Sequence, residues 1–193
     1  MLRLRIPHRR LVSLRKDAQG AALLEFAIAL PLLVVFVVGI FDFSGAFDQK
    51  QKIEQAAQEG AIIAGSQPMS DIASSDANPT SLQAVATAVF NSLVGSGVLA
   101  SGACSPPGTA SGPAGLTWTY TITGCDSSGD NLVITINRGW VSTATTPAVV
   151  GTVVTVQYPY HWRFNSVIQT LIPGASYAPI TQLTESSTVH NQM

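Results

Sequence analysis

The sequence predicts an α+β chain: a long apolar N-terminal helix that continues as an amphipathic helix, then a second helix, then an antiparallel sheet. Three observations carry this expectation. From Ala21 to Phe41 the chain is apolar with Glu25 as its one charged residue, and about 20 such residues are what a helix needs to cross a hydrocarbon core. Past Asp42 the apolar residues recur at three-and-four spacing, and from Trp118 onward the period changes to two.

Taken in order, the N-terminal stretch is basic. Six of the ten Lys and Arg residues, Arg3, Arg5, Arg9, Arg10, Arg15 and Lys16, precede the apolar run. The positive-inside rule therefore keeps residues 1–20, a basic leader, in the cytoplasm and sends everything after Phe41 across the inner membrane, to the periplasmic or extracellular side. Residues 21–41 are the expected transmembrane helix. Within it Pro31 removes the hydrogen bond to the Ala27 carbonyl, which fits either a tolerated membrane proline or a hinge. Residues 42–66 continue the helix, with Phe43, Ala46, Ile53, Ala57, Gly60 and Ala64 on one stripe and Asp48, Lys52, Gln55 and Glu59 on other faces.

Residues 67–193 are expected to form an extracytoplasmic α+β domain. Gln67 to Pro79 reads as a loop, Asn78-Pro79-Thr80-Ser81 as a helix start, and Leu82, Val85, Ala86, Val89, Phe90 and Leu93 as the buried stripe of a helix that Gly95 and Gly97 end. Ser101 to Gly115 is rich in Gly, Pro and Ser and is expected to be a loop. Trp118, Tyr120 and Ile122 then alternate with threonines, and Leu132, Ile134 and Ile136, followed by Val154, Val156 and Tyr158, mark two more strands. A last strand is expected over about 180–189. Between them, Trp162, Phe164, Val167, Ile168 and Leu171 break the alternation and fit a short helix packing inward or an aromatic surface turn.

Glu25 is the residue that composition does not explain. An acidic side chain at mid-span costs about 2.5 to 3.5 kcal/mol on insertion scales, less near an end, so it asks for a partner. A cut between Gly20 and Ala21 would create one: an amine four residues from Glu25, roughly 6 Å along a helix, mostly protonated near neutrality at a reference pKa of about 7.7 to 8. That amine belongs to the same chain or to a neighbouring copy. Two other readings of the N-terminus stay open: an ordinary signal peptide cut near Ser44-Gly45-Ala46, and an anchor that is never cut.

A small residue, an apolar stretch and a Glu five residues downstream form the processing signature of type IV prepilins, which this chain resembles. Gly20 to Ser66 is more closely similar to the TadE-like minor pseudopilins of tight-adherence (Flp-type) pilus systems, through Glu25-Phe26, Leu30-Pro31, Gly39 and the Ala-rich stretch from Gln55 to Ala61. Where that family often carries an Arg after the Ala-rich turn, this sequence has Gly60-Ala61-Ile62. The resemblance implies a pilin-like α+β fold and a role in priming, joining or assembling a pilus, with Gly20 and Ala21 as the processing site and Glu25 and Phe26 in assembly. Its implied partners are other pilus and pseudopilin subunits, a prepilin peptidase and the membrane.

Removing residues 1–20 takes the formal charge from −1 to −6, which argues against nucleic acid as a partner. Cys104 and Cys125, the two cysteines, both follow the export segment, where one disulfide is the simplest outcome. No Cys-x-x-Cys spacing points to redox or metal chemistry. Asp126 and Asp130 flank Ser127-Ser128-Gly129 and suggest either turn chemistry or a weak calcium loop. His8, His161 and His190 are far apart and lack metal-ligand spacing, and His161 reads as a hydrogen-bonded structural imidazole. No Walker loop, Gly-x-Ser-x-Gly elbow or HExxH helix occurs, so no enzyme, no cofactor and no resident metal is expected. The reading from a different class is an uncleaved, membrane-anchored binding or adhesin module.

Overall fold

The computed structural model describes residues 10–72, 76–126, 128–144, 147–171, 174 and 182–192. His8 and the basic residues before Arg10 lie outside them, as do Ser127 and the expected start of the last strand at 180. The order of elements is α1 (Arg10–Ser66), α2 (Thr80–Gly95), β1 (Thr109–Ala114), β2 (Thr117–Ile122), β3 (Leu132–Ser142), β4 (Val149–Pro159), α3 (Asn165–Leu171) and β5 (Gln182–His190). The fold class is α+β, as the sequence predicts. Two compact units divide the chain, Met1–Phe43 with Arg163–Tyr177 and Ser44–Trp162 with Ala178–Met193.

Helix α1 is already formed at Arg10, ahead of Ala21 where the sequence suggests it starts. Nothing between Leu11 and Gln19 breaks a helix, and Gly20 costs only about 1 kcal/mol in a helix interior, too little to stop one. In the first unit, residues 20–33 of α1 are exposed throughout and entirely helical. One stretch of the described chain, Gly20–Ser66, is long and apolar enough to cross a membrane.

In the second unit the rest of α1 turns one face inward. Ile53, Ala56, Ala57, Ala61 and Ala64 are buried with Leu82, Val85, Ala86, Val89, Phe90 and Leu93 of α2 and with the inner face of the sheet. Small side chains on α1 let the other elements approach closely: a Cβ built on Gly60 would lie 2.4 Å from Val89 Cγ2. Phe43 departs from the expected stripe and is half exposed, while its neighbour Asp42 is buried.

Helix α2 starts after Pro79 and ends as its glycines imply. Gly97 takes a φ of +74°, its N–H donates to the Val94 carbonyl and the Val98 N–H donates to that of Leu93. This is the Schellman closure that glycine favours because it has no Cβ to clash in the left-handed region.

The sheet is a five-stranded meander, β1-β2-β3-β4-β5, with each neighbour antiparallel. Register aligns the apolar alternation across strands: Trp118 faces Ile136, Tyr120 faces Ile134 and Ile122 faces Leu132, then Ile134 faces Val156 and Tyr158 faces Leu183. These side chains form the inner face, and threonines such as Thr119 and Thr135 are only half-buried on the other. A slip of one residue would turn the whole set outward, so burial fixes the pairing.

The expectation of a loop over Ser101 to Gly115 is corrected. Thr109–Ala114 is an edge strand, pairing Ala110 with Tyr120 and shifting register between Ser111 and Ala114. Composition hid it because Gly and Pro depress strand propensity. An edge strand tolerates a proline at an irregularity, since only one of its sides must supply N–H groups to a neighbour.

Candidate functional site

The site residues expected at the N-terminus all fall on α1. Gly20, Ala21, Glu25 and Phe26 are exposed, and a Cβ on Gly20 would meet nothing within 4 Å. Around Glu25 the exposed side chains are apolar: Leu23 at 70%, Phe26 at 64% and Ile28 at 70%. Glu25 is the one charged side chain between residues 21 and 41, and a carboxylate placed in hydrocarbon is costly without a countercharge.

The apolar stretch ends at a buried acid. Asp42 accepts hydrogen bonds from the backbone N–H groups of Arg163 at 3.1 Å and Phe164 at 3.2 Å. Those amides immediately precede α3, so the carboxylate supplies acceptors at the helix entrance from a residue 121 positions earlier. Periodicity alone left Asp42 as a mere boundary marker. Its burial next to an exposed Phe43 breaks the amphipathic rule, and that kind of break is a signal of a specific partner. Of the expected packing residues that follow, Ile168 is buried, Val167 is exposed, and Trp162 meets Tyr160 edge to face at 5.2 Å.

In the second unit the two cysteines are joined, Cys104 to Cys125. The bond ties the Gly/Pro-rich segment before β1 to the end of β2. Directly after Cys125 the connection to β3 curls around Asp126. Its Oδ1 accepts the N–H groups of Ser128 at 2.9 Å and Asp130 at 2.8 Å, and the Cys125 N–H donates to the Asp130 carbonyl at 2.9 Å. The Asp130 N–H leads the interactions that hold the Asp126 carboxyl below its usual range, with burial opposing and Ser128 and the His161 ring helping.

His161, expected as a structural imidazole, comes from the end of β4 to this same connection. Its Nε2 lies 3.0 Å from Asp126 Oδ2 and also contacts Asp130 Oδ2. Beneath them, Tyr158 has its phenol pushed up to about 12, first by burial and then by the fields of Asp126 and Asp130.

A third constellation was not anticipated. Arg138 lies in β3 on the core side and is buried, with Nη2 donating to the Gln67 carbonyl at 2.9 Å just past the end of α1. Its Nε and Nη1 have no hydrogen-bond partner among the described residues. Burial lowers its pKa and the field of Asp71 opposes that. The alternation of β3 places position 138 inward, so an inward arginine was the available signal.

Fold and site together define an α+β protein whose long N-terminal helix presents an apolar surface with one carboxylate. Residues 20–61 match the family model described as TadE-like protein. The matched stretch covers the apolar part of α1 and most of its amphipathic continuation, and it overlaps the helix that is long and apolar enough to cross a membrane. No curated protein and no solved structure matches the chain.

Proposed function

We propose that the chain is a minor pseudopilin, an assembly component of a tight-adherence pilus machine that works by lateral packing and carries out no catalysis. The observation that carries this reading is Glu25, an exposed carboxylate on an apolar helix inside the TadE-like segment. A prepilin peptidase facing the cytoplasm cuts between Gly20 and Ala21, where glycine leaves the scissile bond unobstructed. The cut removes the basic leader and leaves an amine on Ala21. Glu25 of one subunit then meets that amine on the same or a neighbouring subunit, while Phe26 and the flanking aliphatic side chains pack against adjacent helices. The protein is held by one span in the inner membrane with its folded domain outside the cytoplasm, and the Cys104–Cys125 bond fits an oxidising compartment.

Because α1 is helical through the Gly20–Ala21 bond, the peptidase must first unwind that turn. Gly20 makes this easier than any residue but proline would. Mass spectrometry of the protein from membranes should give Ala21 as the mature N-terminus. Glu25→Gln keeps size and polarity but removes the charge, so cleavage and domain stability should hold while co-purification with pilus-machine subunits falls. A mature chain starting after Ala46 would overturn the processing step, and full assembly of the Gln variant would overturn the charge pair. An intact N-terminus would favour an anchored binding module instead.

A further inference from the structure

We propose that Asp126, Asp130 and His161 bind one divalent transition-metal cation of the zinc class, which clasps the β2–β3 connection to the end of β4. One ligand atom from each of the three residues lies within 4.8 Å of the others, with His161 Nε2 against both Asp126 Oδ2 and Asp130 Oδ2, although His161 is 31 residues from Asp130. Tetrahedral coordination with bonds of about 2.0 to 2.2 Å puts neighbouring ligand atoms roughly 3.3 Å apart. The His161–Asp126 separation of 3.0 Å is already close to that.

Proton counting favours a cation over an ordinary ion pair. Imidazole Nε2 carries at most one proton, yet it faces two carboxylates. The single Nε2 proton must then be shared between Asp126 Oδ2 and Asp130 Oδ2, while the amide donors of Ser128 and Asp130 serve only the other oxygen of Asp126. A metal ion at the shared point satisfies all three groups at once, with the imidazole neutral.

The ligands are also pre-oriented. On its other oxygen Asp126 accepts hydrogen bonds from the N–H groups of Ser128 and Asp130, the sort of supporting bond that fixes a ligating carboxylate. The connection is anchored at its start by the disulfide at Cys125. A cavity of about 440 Å³, lined by Asp130, Asn131, Tyr160, His161 and Gln182 among others, opens beside the cluster and leaves room for a water molecule as a fourth ligand.

The donor set selects the ion. Calcium and magnesium take oxygen ligands, calcium six to eight of them, whereas one imidazole with two carboxylates suits zinc, manganese, cobalt or nickel. The weak calcium loop that Asp126 and Asp130 suggest in sequence is therefore replaced by a site of different chemistry, because the fold adds His161.

The test is titration of the full, untagged chain in detergent with zinc, cobalt(II) and calcium, monitored by calorimetry and by the visible absorption of cobalt. One equivalent of zinc should bind, cobalt should give a spectrum that zinc bleaches, and excess zinc should raise the thermal midpoint by about 5 °C or more. His161→Ala and Asp130→Asn should each weaken zinc binding at least tenfold, and His190→Ala should leave it unchanged. Since the parent's cobalt spectrum reports the ligands without any variant, a folding defect in a variant does not remove the test. Absence of saturable zinc binding to the parent, zinc affinity unchanged in His161→Ala, or calcium binding as tightly as zinc would each overturn the proposal. None of these outcomes depends on cleavage at Gly20 or on Glu25.

Discussion

Asp71 accepts both the backbone N–H and the hydroxyl of Ser81, at 2.8 and 2.9 Å. Ser81 sits in the first turn of α2, whose own N-cap, Pro79, makes no side-chain capping bond. A carboxylate ten residues upstream thus does what a capping side chain normally does, and it brings negative charge to the positive end of the helix.

Replacing Asp71 with Ala should cost about 1 to 2 kcal/mol at neutral pH, the usual cost of losing a cap. Burial works against the Asp71 carboxylate, but the bonds from Ser81 and the field of Arg138 together leave its pKa below the usual value. A group with a depressed folded pKa adds stability above its unfolded pKa of about 3.9 and loses it as pH falls through the folded value. The gap in denaturation midpoint between parent and Asp71→Ala should therefore be widest above about pH 5 and narrow steadily below pH 4. A gap that widens on acidification would show that the charge is not what stabilises.

The disulfide closes a loop with a sequence separation of 21, for which chain entropy gives roughly 3 kcal/mol. Exchanging Cys104 and Cys125 together for serine should lower stability by about 2 to 4 kcal/mol and loosen the neighbouring connection around Asp126. Urea denaturation of the full chain in detergent, read by tryptophan fluorescence, checks the first effect. Hydrogen exchange at residues 125–130 checks the second. Equal exchange in parent and variant would mean that Asp126 organises its loop unaided.

Arg138 separates charge from packing. Its guanidinium is buried with two nitrogens lacking a hydrogen-bond partner among the described residues, so the charge carries a desolvation cost that one bond to Gln67 and the field of Asp71 offset only in part. Arg138→Met keeps most of the volume and should change stability by no more than about 1 kcal/mol, in either direction. Arg138→Ala leaves a cavity and should cost about 2 to 4 kcal/mol. Thermal unfolding of the two variants side by side decides it, and equal large losses would mean that the charge itself holds Gln67 and the end of α1.

Most of the architecture was legible because local signals and burial agree. Alternation from Trp118 to Tyr158 gave three strands, and the run from Thr80 to Gly97 announced both ends of α2. What escaped was set by contacts between segments and not by the pattern within any one of them. The edge strand at Thr109–Ala114 exists because β2 offers it a partner, in spite of its own glycines and proline. The burial of Asp42 depends on amides at positions 163 and 164, and the company of His161 depends on where β4 ends relative to the β2–β3 connection. No spacing within one segment carries that information.

Gly60 gives the sharpest contest between two effects of known size. In a helix interior Gly→Ala normally gains about 1 kcal/mol from propensity. Here the new Cβ would lie 2.4 Å from Val89 Cγ2 and 3.3 Å from Val154 Cγ1. The first distance forces a shift, and overpacking of this kind costs about 1 to 3 kcal/mol. Packing should win, so Gly60→Ala is expected to be destabilising by up to about 2 kcal/mol. Val89→Ala alone loses buried methyl groups, but in the double variant it makes room for the new Cβ. The two changes should therefore combine to less than the sum of their separate losses, with a coupling of about 1 kcal/mol or more. If Gly60→Ala stabilises the chain, α1 and α2 yield enough to admit a methyl group and propensity outweighs packing at this contact.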